Sequence, residues 1–160
     1  MKKFLIFLIG LYIGFIIFMP KENLFFTFQN YLKNRNIYIN TKTSSNLISL
    51  SLKNFTLFIN KIDIAKGEEI SIFPFLFYNK IEAKNIQLNI QNIKINNIFA
   101  TYSILNPIKI VINGNNNFGK INGYIDLIKK NIKIYLKNPS PQIKEFLQKD
   151  KKGYFIYEKF

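Results

Sequence analysis

Nine acidic residues, 23 basic ones and no cysteine or histidine are what this 160-residue chain offers for chemistry. Glu68 and Glu69 are adjacent, and on a strand adjacent side chains point to opposite faces, so they cannot share a substrate. Asp63 and Asp126 stand in separate strand-like stretches without a local partner, so no spacing supports the paired carboxylates of glycoside hydrolysis. A serine nucleophile needs a base, and without histidine only lysine remains; Ser44-Ser45 and Ser140 read as turn and cap residues. Missing cysteine removes disulfides, thiol chemistry and thiolate metal sites, and missing histidine removes imidazole catalysis. Gly114 to Gly119 lacks the Lys-Ser/Thr end and following helix of a phosphate-binding loop. No catalytic, cofactor-binding or metal-ligating set is expected, and the chain is not expected to be an enzyme.

The formal charge of +14 invites a nucleic-acid or anionic-membrane reading. All basic residues but Arg35 are lysine, however, and the lysine comes with an excess of Ile and Asn, the bias that an AT-rich genome writes into any protein. Nucleic-acid binders favour arginine, whose planar fork pairs phosphate and guanine edges. Lysines and aromatics do interleave here as in single-strand binders, but they spread along the whole chain without a concentrated stripe. Nucleic acid is therefore an unfavoured partner.

Met1-Lys2-Lys3 precedes an uncharged run from Phe4 to Met19 in which twelve of sixteen residues are Ile, Leu or Phe. As a helix rising 1.5 Å per residue it covers about 24 Å, short of the roughly 30 Å hydrocarbon core, a gap that lysine snorkelling and bilayer thinning can close. A cleaved signal peptide needs small residues at its cleavage site, and Phe15 to Pro20 are bulky. The reading is an uncleaved transmembrane anchor over residues 1–20. Lys2 and Lys3 hold the N-terminus in the cytoplasm and the rest is exported, which in a bacterium means single-pass inner membrane with a periplasmic domain. Gly10 and Gly14 form a G-x-x-x-G, either a seat for another membrane helix or the ordinary glycine content of such helices. Leu24, Phe25, Phe28, Tyr31 and Leu32 then fall at helical spacing, giving an amphipathic juxtamembrane helix over residues 21–36, lying on the membrane or packed on the domain.

From residue 37 to 160 the period changes to two. Ile48, Leu50 and Leu52 alternate with polar residues, as do Ile86, Leu88 and Ile90, and Ile108, Ile110 and Ile112. Ile121, Ile125, Leu127, Ile132, Ile134 and Leu136 continue the pattern and are the candidate groove face. One dry and one wet face mark an antiparallel sheet packed on a single side. Turn signals at Thr43 to Asn46, Lys66-Gly67, Asn96-Asn97, Asn106-Pro107, Gly114 to Asn117, Lys129 to Asn131 and Lys152-Gly153 divide eight or nine strands. The fold class is mainly β: a small sandwich, a jelly roll or an open β-groove, with one short C-terminal helix. Ser140 and Pro141 start that helix, Ile143, Phe146 and Leu147 give its apolar edge, and Gly153 permits the turn that stops it. The dense cluster Phe73, Phe75, Leu76 and Phe77 reads either as a core-filling corner or as an exposed patch that touches bilayer or subunit.

The stretch from Asn106 to Glu158 carries a Pro-led strand at Pro107, a Gly-rich loop from Gly114, Gly123 to Leu127 as G-x-I-x-L, Pro139-Ser140, and a closing Gly153 to Tyr157 strand. With one anchor ahead of a small β-domain, this resembles the type II secretion system protein N family over the last third of the chain, or half if IDIAKGEEISIFPFL is included. The resemblance implies an inner-membrane component of a secretion or pilus-like assembly acting through protein contacts, without a cofactor. Membrane-anchored β-jellyroll subunits of lipopolysaccharide transport and AsmA-like groove proteins look similar too, and imply lipid handling instead. A groove face sealed by a second sheet favours the first reading; one left open favours lipid.

Overall fold

The computed structural model describes residues 2–89, 93–117, 119–139, 141–145 and 147–160. Ser140, Phe146 and the side chain of Ile143, and the strand positions Ile90 and Gln91, lie outside the described residues. Two helices, α1 (Lys2–Phe18) and α2 (Lys21–Lys33), precede eight strands: β1 (Ile37–Ser45), β2 (Leu50–Ile59), β3 (Ile62–Phe75), β4 (Tyr78–Leu88), β5 (Ile93–Ser103), β6 (Asn106–Asn116), β7 (Gly119–Asp126) and β8 (Asn131–Lys137). A four-residue helix α3 (Pro141–Lys144) and a final hairpin, β9 (Gln148–Asp150) and β10 (Gly153–Lys159), complete the chain. All ten strands form one antiparallel sheet in the order β1 to β8, then β10 and β9.

The alternation read from the sequence is seen, but the strands lie in one sheet rather than the two of a sandwich or jelly roll. α3 therefore has no second sheet to bridge, and it ends before Leu147. Residues directly opposite on paired strands share a face. The register runs Leu50, Ile72, Ile81, Ala100, Ile112, Gly123, Ile134 and Ile156 as one row, and Leu52, Ile70, Ala83, Ile98, Gly114, Ile121, Leu136 and Tyr154 as the next. Apolar side chains thus carpet one face from β2 to β10.

Two of the expected turns lie inside strands, and two more, Thr43 to Asn46 and Gly114 to Asn117, reach the turn only at their last residue. Lys66-Gly67 sits within β3, Asn96-Asn97 within β5, Gly114 to Asn116 within β6, and Thr43 to Ser45 within β1. Asn106-Pro107 opens β6 rather than turning. The turn between β2 and β3 is Asn60-Lys61, both at positive φ, the geometry of a tight hairpin. Gly67 faces the Phe55 ring, which fills the space a Cβ would need. Asn54 and Asn85, both with φ of 51°, break the alternation in β2 and β4 without shifting the register across β3 and β4. Asparagine tolerates this left-handed conformation. The apolar series consequently changes parity, from Leu50 and Leu52 to Phe55 and Leu57, while Leu52 and Phe55 are both buried.

Among the described residues one helix covers the dry face. Phe25 of α2 packs on Leu50 and Leu52, with Ile39, Ile70 and Ile72 around them, so the cover reaches β1 to β3. The buried edge of α2 is Lys21, Phe25 and Gln29, whereas Leu24, Phe28 and Tyr31 of the expected stripe are exposed. Leu52→Ala is expected to lower unfolding free energy by about 2–5 kcal/mol, while Leu105→Ala, in an exposed turn, stays within about 0.5 kcal/mol; urea unfolding of the full chain in detergent measures both.

Candidate functional site

Three surfaces of the molecule could do work: the dry face beyond α2, the end of the sheet where α1 arrives, and the wet face. On the dry face Ile121 stands opposite Leu136, and Ile125 opposite Ile132. Ile134 stands opposite Gly123. Leu127 follows β7 in the turn, exposed, its N–H bonded to the Ile108 carbonyl. The six expected groove residues are therefore adjacent, and Ile110 and Ile112 extend them across β6. At Gly114 an added Cβ would stand 2.5 Å from the Asn97 carbonyl oxygen, and at Gly123 2.5 Å from that of Lys133. Only glycine permits neighbouring backbone to come so near on that side, which lets the sheet coil tightly there. Among the described residues no second layer covers β4 to β8; Ile112, Ile121 and Leu136 are nevertheless buried among their neighbours on the sheet, Ile125, Ile132 and Ile134 are half-buried, and Ile81 is exposed.

The aromatic cluster proves to be the β3–β4 hairpin. Phe73 and Phe75 lie partly buried on the wet face with rings stacked 6.3 Å apart, and Leu76 and Phe77 form the exposed turn, Leu76 at φ 58°. Here α1 docks: Tyr12 stacks on Phe77 at 5.4 Å and donates its hydroxyl to the Phe75 carbonyl at 2.6 Å. A second tie comes from buried Lys21, whose Nζ donates to the carbonyls of Ile16 and Leu47, both at 2.9 Å. One ammonium thereby satisfies a carbonyl at the C-terminal end of α1, where cations are favoured, and fastens it to the β1–β2 turn. Gly10 and Gly14 are not part of this contact; nothing lies within 4 Å of a Cβ built on either. The rest of α1 is apolar all round and exposed. Among the described residues no single helix is long and apolar enough to cross a membrane, but α1 and α2 pass that test together as a pair bent by 60°.

Sequence reasoning missed what the meander does to the turns. Alternate turns fall at the same end of an antiparallel meander, so those joining β1–β2, β3–β4, β5–β6 and β7–β8 all lie at the end where α1 docks. Each carries two consecutive exposed apolar residues: Leu47-Ile48, Leu76-Phe77, Ile104-Leu105 and Leu127-Ile128. Phe160 joins them, bonded through its N–H to the Lys130 carbonyl. At the opposite end the described turn residues are Asn60-Lys61, Asn89, Asn117 and Lys151-Lys152, with Ile59 and Ile62 exposed on either side of the first. The available signal was the apolar pair itself, placed where a hairpin ordinarily carries polar residues.

On the wet face lysines lie over rings. Lys80 stands over Phe73 and Phe99, Lys109 over Tyr124, and Lys133 over Tyr135 and Phe155, the last at 3.9 Å. The carboxyls singled out in sequence are spoken for locally: Asp63 pairs with Lys66, Glu69 with Lys84, Glu68 accepts from Asn85, and Asp126 accepts turn N–H groups from Ile128 and Lys129. A hollow of about 510 Å³ between the end of α2 and β1 is lined by Lys33, Tyr38, Phe58 and Lys61.

Lys133 donates to Asp150 at 2.9 Å, and the Tyr135 hydroxyl donates to the same oxygen at 3.0 Å. Lys133 holds the Asp150 carboxyl below its ordinary value, opposed by desolvation and helped by the Lys152 N–H. The Tyr135 hydroxyl and then Asp150 hold the Lys133 ammonium above its own. A lowered folded pKa contributes stability above the unfolded value, near 3.8 for Asp150, and loses it as pH falls through the folded value. Asp150→Asn is thus expected to be less stable than the natural chain at neutral pH, with the difference shrinking as pH falls below 3.8, as read by urea midpoints. No family model, curated protein or solved structure matches the chain, so its own surfaces carry the functional reading.

Proposed function

We propose that this chain is a non-enzymatic, membrane-anchored protein of the bacterial inner membrane whose periplasmic sheet holds the acyl chains of an envelope lipid on its dry face. The observation that carries the reading is a single-layered sheet with two continuous apolar rows, covered by α2 only from β1 to β3. A sheet of this kind leaves apolar surface in water unless something lies on it. The exposed Leu24 and Phe28 of α2, on the same side as the rows, add to the apolar wall. Support for the anchor comes from α1, apolar around its whole circumference, the pattern of a helix solvated by lipid. Lys80, Lys109 and Lys133 of the wet face lie over its own rings Phe99, Tyr124 and Phe155, which weighs against those rings serving as base-stacking platforms.

Membership of a secretion-type assembly is the second reading, and one observation favours it: the open Gly10/Gly14 side of α1, turned away from the Tyr12 and Ile16 contacts. Such a side admits close approach of another helix.

Full-length protein extracted in mild detergent is expected to retain phospholipid or lipopolysaccharide in stoichiometric amount by native mass spectrometry, and Ile112→Glu with Ile134→Glu to lose it. Equal lipid on both proteins would overturn the groove reading, since lipid held by α1 alone survives those changes. For the assembly reading, a photocrosslinker at Gly10 is expected to trap another membrane protein in cells, and one at Phe4 less so; uncrosslinked monomer from both positions would count against it.

A further inference from the structure

From the arrangement of the turns we propose that the sheet stands end-on against the bilayer, with its four α1-side turns inserted among the headgroups and outer acyl carbons. The inference rests on the membrane reading of α1 and not on the lipid-binding reading of the dry face.

Leu105 is 93% exposed and Ile128 71% exposed; one such residue is ordinary on a soluble surface, but exposed apolar pairs recurring at four turns of one end are not scattered singly. Charge does not distinguish the two ends of the sheet, since Lys129 and Lys130 at one end face Lys61, Lys151 and Lys152 at the other. Apolar pairing does. Every turn at the α1 end has two consecutive exposed apolar residues, whereas the described far-end hairpin turns are Asn and Lys, with Ile59 and Ile62 exposed on either side of the first and single apolar residues, Ile90 and Phe118, in the sequence of two others.

What covers these tips is argued from continuity. Phe77 touches Tyr12 of α1, and Lys21 ties Leu47 to Ile16, so the tips begin where the apolar helix ends. A bilayer holding α1 necessarily lies beside them. Apolar side chains enter an interface by about 5–10 Å, a depth that turn tips can reach without burying any strand. Tip N–H groups are paired before they meet the interface: those of Ile104 and Leu127 bond to the Phe77 and Ile108 carbonyls of the neighbouring hairpins, and those of Leu105 and Ile128 to the Ser103 and Asp126 side chains. Lys129 and Lys130, next to Ile128, are then placed at the level of anionic headgroups.

The chain has no cysteine, so single cysteines can be introduced without background. Full-length Leu105→Cys, Ile128→Cys, Asn117→Cys, Lys152→Cys and Phe7→Cys, each labelled with the environment-sensitive dye NBD, are reconstituted into vesicles of equimolar phosphatidylethanolamine and phosphatidylglycerol. The two tip probes are expected to emit to the blue and to be quenched by lipids carrying a nitroxide on the acyl chain, and the Asn117 and Lys152 probes to do neither. Tip probes that behave like those two, beside a quenched Phe7 probe, would overturn this inference while leaving the anchor intact. Tip probes that shift to the blue without lipid quenching would assign the tips to a protein partner and overturn it as well. A water-like Phe7 probe would sink the membrane reading and this inference together.

Discussion

A sheet one layer thick has a dry face it cannot cover with itself. Two-layer architectures solve this by pressing one apolar face on another. Here the chain spends its strands side by side, and among the described residues α2 is the helix laid on them, through Phe25. Among the described residues the buried apolar set is small, with Leu50, Leu52 and Phe55 near α2 and Ala83, Ile112, Ile121 and Leu136 on the strands beyond it. The remainder of the dry face is solvated by whatever the environment offers, and that condition connects the fold to the proposed work.

The joint between helices and sheet is polar where the rest is greasy. Lys21 is 6% exposed and has no carboxylate beside it; its hydrogen bonds go to two main-chain carbonyls. A buried ammonium is costly unless its donors are satisfied, so the position is held by the carbonyls rather than by burial. Tyr12 makes the second tie, also to a carbonyl. Both ties use main-chain acceptors that exist only once the hairpins have formed, so α1 is oriented by the folded sheet.

Much of the sheet was legible in the sequence, and the failures are instructive. The period of two placed Ile121, Ile125, Ile132, Ile134 and Leu136 on one face, as the register does. It could not tell one sheet from two, because a dry face reads the same whether its cover is a second sheet, a helix or a lipid. Gly67 and Asn96-Asn97 misled as turn residues. Glycine in a strand signals close approach as well as turning, here of the Phe55 ring, and asparagine in a strand marks a left-handed break at Asn54 and Asn85. Asn60-Lys61 went unread because its second residue is lysine where glycine is the usual sign. The apolar tips escaped because reading each turn alone hides that alternate turns share an end.

The meander has a kinetic meaning too. Apart from the short closing hairpin, every strand pairs with its immediate predecessor in sequence, so almost no contact waits for a distant segment. Low contact order of this kind favours rapid folding. A polypeptide threaded through a narrow conduit, N-terminus first, would find each new segment's partner already in place on the far side. The edge that remains reactive at any moment is the newest strand alone, which limits the time during which unpaired backbone is open to wrong neighbours.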